Sequence, residues 1–312
     1  MTAPAWDVTR SVARRFSVLG ATRFQEDGRT VAVAASRLLR SRLAERIYVR
    51  CHLRQPAAPV RRADAASDER LRQVLRSRLA GGSYMDDGWT LVARDGAQTC
   101  VRKGGLILTV APHEFRHVQP AAAGAYVSVR LPTHWPCVLP GWFVVVSRHG
   151  QPADDRGLWR VYADVRPENG ADAVSMLRGW LEVGGARFQL KLLNASALGT
   201  RPDGLVAFVR PDDVESAVRC LQMMHRRGWL RDGWPGFAAR VCDGIALAPE
   251  PPAVGLPKSF GQHCAGVAAD AVIEAWQEGV DDEQARRVLI ADRLEQDATG
   301  AAPVGAGEPR CP

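Results

Sequence analysis

The longest apolar runs in this chain are only as long as a β-strand. Two examples are GLILTV at 105–110 and WFVVV at 142–146. A membrane-spanning helix needs about 20 consecutive apolar residues, so we expect no such helix here. Because hydrophobic residues make up 46% of the 312 residues, the chain can bury a core, and wholesale disorder is excluded. The first residues, Met1–Asp7, lack the apolar segment of a secretory signal, so we expect a cytoplasmic location.

The chain is basic, and arginine carries the charge. Its 41 Lys and Arg residues against 34 Asp and Glu residues give a formal net charge of +7. Such a balance fits an anionic partner, although we expect neither nucleic acid nor membrane binding. Lysine occurs only as Lys103, Lys191 and Lys258, so each lysine is a candidate for a specific role.

Seven cysteines lie at 51, 100, 137, 220, 242, 264 and 311. Their number is odd, their spacing is wide, and no two form a Cys-x-x-Cys pair. This pattern argues against a disulfide framework and against a thiolate zinc site.

The order of apolar patterns predicts an α+β fold. Residues 8–54 show helical spacing and predict a helical N-terminal region. A linker at 55–64 precedes a helix at 68–79 that Ser67 would cap. The rest predicts a mixed sheet with flanking helices. The predicted strands are 89–93, 99–102, 106–110, 126–131, 142–147, 158–165, 187–193 and 204–209, and the helices are 169–181, 214–224 and 260–278, the last continuing toward 294.

These patterns divide the chain into four regions. We expect N-terminal helices at 1–55, an α+β region at 56–150, a second region of strands and helices at 151–295 and a disordered tail at 296–312.

One short motif is typical of zinc peptidases. His113, Glu114 and His117 match H-E-x-x-H, in which one helix face presents both histidines and the glutamate activates a water. Pro112 and Pro120 flank the motif closely, so no long helix fits between them. We favour a polar turn and expect no metal, although a zinc hydrolase stays an alternative.

Several motifs occur in an order that resembles the HopA1 family, which is named for a type III secreted effector. The resemblance covers roughly 37–280. The motifs are YVSVRLP at 126–132, WRVYADVRPE at 159–168, FQLKLLN at 188–194, RPDGLVAFVR at 201–210, GIALAPEP at 244–251 and SFGQHC at 259–264.

The resemblance implies a function. Actinobacterial members of this family look like partners of kinase-like proteins that modify ribosomal peptides, namely class V lanthipeptides and thioamitides. This similarity implies a lyase that eliminates phosphate from phosphorylated Ser or Thr in a precursor peptide and leaves dehydroalanine or dehydrobutyrine. It implies a phosphorylated peptide and a kinase-like phosphotransferase as partners, and neither a metal nor a nucleotide as cofactor.

A more distant likeness to effector phosphothreonine lyases implies the site residues. It also implies that 151–295 is a phosphothreonine-lyase-like catalytic domain and that 56–150 binds a peptide or a partner. In those lyases a basic residue and a general acid lie two apart on one strand, and a catalytic lysine follows. Here Arg160 and Tyr162 have that spacing and Lys191 follows. Tyr162 stands where those lyases have histidine, and Cys264 stands where they have a later arginine. The implied phosphate-binding residues are Arg160, Arg201, Arg210, Arg130 and His263.

The chemistry of β-elimination fits these residue types. A base must remove the weakly acidic proton on Cα, and lysine serves only when neutral. Burial between Leu190 and Leu192, near Arg160, would lower the pKa of Lys191. A phosphate dianion must also leave, and arginines can hold it while an acid protonates the bridging oxygen. We expect neighbouring arginine to lower the pKa of Tyr162 enough for that role.

Other readings of the same residues stay open. Lys191 can be a charge that protects a sheet edge, Tyr162 a residue at the rim of the core, and the arginines solvated surface charges. The chain as a whole can be a non-catalytic scaffold that holds the peptide or the kinase.

Overall fold

The computed structural model describes residues 4–56, 68–95, 98–117, 124–152, 157–194, 201–251 and 259–301. Its helices are α1 (Pro4–Arg15), α2 (Leu39–Ile47), α3 (Glu69–Leu79), α4 (Gly170–Val183), α5 (Val214–Arg226), α6 (Phe260–Gln277) and α7 (Glu283–Ala301). Its strands are β1 (Phe16–Gly20), β2 (Arg23–Glu26), β3 (Arg29–Ala32), β4 (Ser83–Asp95), β5 (Gln98–Lys103), β6 (Leu106–Val110), β7 (Phe115–His117), β8 (Tyr126–Pro132), β9 (His134–Leu139), β10 (Trp142–Val146), β11 (Trp159–Ala163), β12 (Phe188–Leu193), β13 (Leu205–Val209), β14 (Ala239–Cys242) and β15 (Ile245–Pro249).

Over these ranges the strands form three antiparallel sheets. The central sheet has the order β14-β15-β11-β13-β12-β10-β9, a second has the order β6-β5-β4-β8-β7, and a small one has the order β1-β2-β3. The α+β class predicted from the sequence is therefore confirmed. Strands β9 and β10 lie in the same sheet as β11–β13, so the boundary predicted at 150/151 falls inside the connection between strands of one sheet.

Successive side chains of a strand point to opposite sides of a sheet. Both faces of the central sheet are covered by other elements. On one face, Val161, Leu190 and Leu192 pack with helices α3, α4 and α5 in the largest apolar cluster. On the other face, Tyr162, Val206 and Phe208 form a smaller cluster. At the β10 end, that second face also packs against the sheet of β4–β8.

The N-terminal region and the last two helices share one apolar core. Helices α1 and α2 and strands β1 and β2 pack with α6 and α7 around Phe16, Phe24, Leu43 and Val272. Helix α6 begins with a capping box, in which the Ser259 hydroxyl accepts from the Gln262 N–H at 3.2 Å.

The prediction of helices throughout 8–54 is wrong for residues 16–32, which form β1–β3. The reason is a tight turn at Asp27 and Gly28, where both residues have positive φ, 48° and 78°. Asp-Gly is a strong hairpin signal, and the helical spacing of the flanking apolar residues concealed it.

The motif from His113 to His117 does not form a helix. Residues Pro112–Glu114 make one 3-10 turn, and β7 follows directly. Glu114 instead accepts from the Ala111 N–H at 2.8 Å. The backbone thus fits the polar turn that we favoured, and the alternative of a zinc-binding helix at this motif is wrong.

Three predicted helix boundaries also differ. Helix α7 runs to Ala301, so the predicted disordered tail is helical over 296–301, and its remainder lies outside the described residues. Helices α6 and α7 are separate, with Gly279 at φ 69° in the turn between them. Asp68, not Ser67, caps α3 by accepting from the Leu71 N–H at 3.0 Å. Ser67 and most of the predicted linker lie outside the described residues.

Candidate active site

Three of the residues singled out by sequence, Arg160, Tyr162 and Lys191, lie on one face of the central sheet. Tyr162 and Lys191 both pair with Val206, and Arg160 pairs with Phe208. Residues that are directly opposite in antiparallel strands share a face. We call this surface, defined by Arg160, Tyr162, Lys191 and Phe208, the Lys191 face.

The ring of Phe208 lies between the two cations of this face. The Lys191 Nζ is 4.4 Å from the ring centroid, and the Arg160 Cζ is 4.9 Å from it. A cation within about 6 Å of an aromatic face is attracted by the ring. Phe208, on the strand β13 that lies between β11 and β12, therefore contacts both the guanidinium and the amine.

The environment of Lys191 lowers its pKa, as the sequence predicted. Burial of the amine is the main cause, and the positive charge of Arg160 adds to it, while Glu250 acts in the opposite direction. Leu190 and Leu192 are not the neighbours responsible, because they point to the opposite face of the sheet. A lysine with a lowered pKa is neutral more often near neutral pH, which a general base requires.

Arg160 is buried and already holds a carboxylate. Only 6% of it is exposed, and it donates from Nε and Nη2 to Glu250, with the second contact at 2.6 Å. Burial alone would lower the pKa of Arg160, but Glu250 and Tyr162 raise it overall. The guanidinium is thus permanently charged and fixed in orientation.

Arg201 has a matching arrangement with Asp203. Its Nε and Nη2 donate to the two carboxylate oxygens at 2.9 and 2.7 Å, and Nη2 also lies 3.4 Å from the Tyr48 hydroxyl. Its Cζ lies 5.6 Å from the ring centroid of Trp142, which packs against the apolar cluster of the Lys191 face. Arg160 and Arg201, two of the four arginines predicted to bind phosphate, are therefore each fixed by their own carboxylate.

Tyr162 is part of the core, and its pKa differs from our expectation. It is 3% exposed, and burial raises its pKa, even though Arg160 acts in the opposite direction. The prediction that arginine lowers the pKa of Tyr162 is wrong because burial has the larger effect. Tyr162 is a neutral phenol that forms a hydrogen bond with Arg160.

Sequence reasoning missed His52 and Tyr48, which contact the candidate site residues. The His52 ring stacks on Tyr48 with centroids 5.4 Å apart and meets the edge of Tyr162 at 6.2 Å. Burial lowers the pKa of His52 to about 4 and raises that of Tyr48 to about 12, so both are neutral at pH 7. No local motif marks them, since they follow helix α2 and reach the site only through the fold.

Helix α6 contacts His52 through a glycine. A methyl group at Gly261 would overlap the buried His52 ring, whereas one at Gly266 would have Arg40 Nη2 as its nearest neighbour at 3.5 Å. We expect Gly261→Ala to lower the free energy of unfolding by about 1–3 kcal/mol through overpacking. Gly266→Ala, in the same helix, should be neutral or stabilise by up to about 1 kcal/mol. Urea unfolding of both variants measures this difference, and equal effects would contradict the close packing at His52.

The other predicted phosphate-binding residues are Arg210, His263 and Arg130. Arg210 follows the last residue of β13 and lies near Asp213. His263 contacts Asp297 of α7 at 2.7 Å. Arg130 is exposed on β8, in the sheet of β4–β8, opposite Met85. A role for these three residues in binding phosphate stays a prediction.

A family model described as the HopA1 effector protein family matches residues 133–299, which is more than half of the chain. The chain belongs to the HopA1 effector protein family. This match includes all of β10–β15, and so every strand of the Lys191 face. The HopA1 resemblance seen in the sequence motifs is therefore confirmed.

Two solved structures of effector proteins from Pseudomonas syringae are similar to this HopA1 family member. The protein from pathovar tomato strain DC3000 is 11% identical, with 83% of this chain and 91% of that chain covered and a TM-score of 0.45. The protein from pathovar syringae strain 61 is 13% identical, with 82% and 92% covered and a TM-score of 0.41. Comparison with curated proteins gives no match.

Two further properties concern the described part of this HopA1 chain. None of its helices has the length and apolar character needed to cross a membrane. Within the same ranges, no three His, Cys, Asp or Glu side chains come together as a possible metal site.

Proposed function

We propose that this protein is a lyase that removes phosphate from phosphorylated Ser or Thr in a peptide by β-elimination. The observation that carries the proposal is the amine of Lys191, with its lowered pKa, beside the fixed guanidinium of Arg160. Arg201 supplies a second guanidinium near the same apolar cluster.

In the proposed reaction, Lys191 acts as the base. Its neutral amine takes the proton from Cα of the phosphorylated residue, and the electrons of that C–H bond form the Cα–Cβ double bond. The Cβ–O bond breaks, and its electron pair leaves with the phosphate. The resulting Lys191 ammonium then offsets the negative charge that develops on the substrate carbonyl. The product is dehydroalanine from Ser or dehydrobutyrine from Thr.

Arg160 and Arg201 would bind the departing phosphate. Phosphate carries about −1.5 to −2 charge at neutral pH, and arginine binds it with paired hydrogen bonds. Glu250 and Asp203 hold the two guanidinium groups in fixed orientations. The phosphate would therefore bind guanidinium groups that each already bind one carboxylate. Because the pKa of Tyr162 is raised, we propose that Tyr162 orients Arg160 rather than protonating the leaving group.

The substrate class follows from the family likeness described above. We propose a ribosomal precursor peptide of the lanthipeptide or thioamitide type, phosphorylated by a separate kinase-like protein in the cytoplasm. A second candidate function is a non-catalytic scaffold that holds this peptide or the kinase. The pairing of both arginines with carboxylates favours this second candidate, since each guanidinium already binds an anionic group of the protein.

The mass of a phosphoserine peptide after incubation with the purified protein separates these functions. Elimination removes one H3PO4 from the phosphopeptide, and hydrolysis removes one HPO3. We expect loss of H3PO4. An intact phosphopeptide, with the kinase-like partner also present, would favour the scaffold, and loss of HPO3 would indicate a phosphatase.

A further inference from the structure

A polar cavity of about 260 Å³ lies in the N-terminal region, apart from the residues that the proposed elimination uses. Three of the residues that line it are arginines, and none of these lining residues is acidic. The lining consists of Val8, Ser11, Arg15, Arg50, Cys51, Arg54, Gln55 and Gly236. We call it the arginine cavity.

A carboxylate behind the wall fixes two of the arginines. Asp27 accepts from Arg15 Nη1 at 2.8 and 2.9 Å and from Arg50 Nη2 at 2.6 Å. Arg50 Nη1 also donates to the backbone carbonyl of Gln55 at 2.6 Å, and Arg15 Nε donates to the Ser11 hydroxyl at 3.2 Å. The two guanidinium groups are thus held in place before any ligand arrives, which lowers the entropic cost of binding one.

The charges around the cavity leave it positive. Glu26, the other nearby carboxylate, accepts from Arg46 Nε at 2.6 Å and lies 3.2 Å from Arg50 Nε of the lining. Arginines 15, 46, 50 and 54 against Glu26 and Asp27 give 4 − 2 = +2. Neither Glu26 nor Asp27 is among the residues that line the cavity, so the lining itself presents positive charge.

Arg54 connects this cavity to the Lys191 face. It has φ 54°, an unusual backbone conformation for a residue with a long side chain. Its Cζ lies 4.2 Å from the ring centroid of Trp234, and Trp234 packs with Tyr162 and Phe208. Trp234 thus contacts both Arg54 of the cavity and the apolar cluster of the Lys191 face.

We propose that the arginine cavity binds an acidic side chain of the peptide whose phosphorylated residue lies at the Lys191 face. This assignment rests on the proposed function for the identity of the peptide. A carboxylate matches the fork of a guanidinium with two parallel hydrogen bonds, and the cavity has room for one Asp or Glu side chain with part of its backbone. The cavity would thus select substrates by a residue distant from the phosphorylation site.

Binding of unphosphorylated peptides tests the cavity without any elimination. The probes are two fluorescent peptides of equal length, one with a Glu-rich segment before its serine and one with Gln at the same positions. We expect the Glu peptide to bind more tightly. Arg54→Gln should weaken its binding about tenfold, the effect of losing a charge-assisted hydrogen bond, and Arg54→Lys should weaken it less.

The matched control is Arg29→Gln, which removes the same charge from an exposed position on β3, outside the cavity lining. Equal affinity for the Glu and Gln peptides would overturn the assignment, as would equal losses in Arg54→Gln and Arg29→Gln. If the phosphorylated forms of both peptides are eliminated at the same rate, the cavity assignment fails while the proposed lyase activity stands. If the Glu peptide binds through Arg54 but its phosphorylated form is not eliminated, the proposed function fails instead.

Discussion

Replacing Lys191 by Met should abolish elimination while the protein stays folded. Methionine keeps the unbranched apolar stem that packs near Phe208 and removes only the amine. Loss of a general base lowers the rate by roughly 10²–10⁴-fold. The rate is measured as dehydroamino acid formed from a phosphoserine peptide, and urea unfolding shows whether the variant is folded.

Lys191→Arg separates a base from a simple positive charge. Arginine keeps the charge but does not lose its proton at neutral pH, so this variant should be as inactive as Lys191→Met. Lys103→Met is the control for removing a lysine, because Lys103 lies on β5 and pairs with Asp86 at 2.8 Å. Full activity in Lys191→Arg would mean that position 191 supplies charge only, and would contradict its role as the base.

Changes at Arg160 and Glu250 should move the pH dependence of elimination in opposite directions. Activity requires the neutral amine, so it rises with pH through the pKa of Lys191. Arg160 lowers this pKa and Glu250 raises it. In Arg160→Met the rise should therefore shift to higher pH, and in Glu250→Gln it should shift to lower pH.

The pH at half-maximal rate is the quantity to compare, because both variants also lose activity for other reasons. Arg160→Met removes a proposed phosphate contact. Glu250→Gln leaves a buried guanidinium without its counter-ion and should cost about 2 kcal/mol of stability, less than the roughly 3–5 kcal/mol of a fully buried pair, since the Glu250 side chain is 26% exposed. Shifts in the same direction would contradict the placement of Lys191 between these two charges.

The sequence predicted the strands that carry the candidate site because their patterns are local. Residues 187–193 and 204–209 have the composition of buried strands, and β12 and β13 lie within one residue of those limits. The grouping of Lys191 with Arg160 followed from the likeness to effector phosphothreonine lyases, and the register of the central sheet places both residues on one face.

The partners of these residues could not be predicted in the same way. Glu250 lies 90 positions from Arg160 in the sequence, and no local pattern indicates that β15 pairs with β11. His52 reaches Tyr162 only because α6 and the N-terminal region pack together. The raised pKa of Tyr162 has the same origin, since burial depends on the whole fold. The pairing of Asp203 with Arg201 could have been predicted, because Asp203 follows Arg201 by two residues in the motif RPD.

The proposed elimination depends most on the amine of Lys191 being uncharged at working pH. Its pKa can be measured directly from the pH dependence of amine acylation, with mass spectrometry of the peptide that contains residue 191. The reference is the same lysine in the isolated peptide 187–194, where it has an ordinary environment. We predict that Lys191 in the folded protein reaches half-maximal reactivity at a lower pH than in the peptide. Half-maximal reactivity at the same or a higher pH would contradict its role as the base.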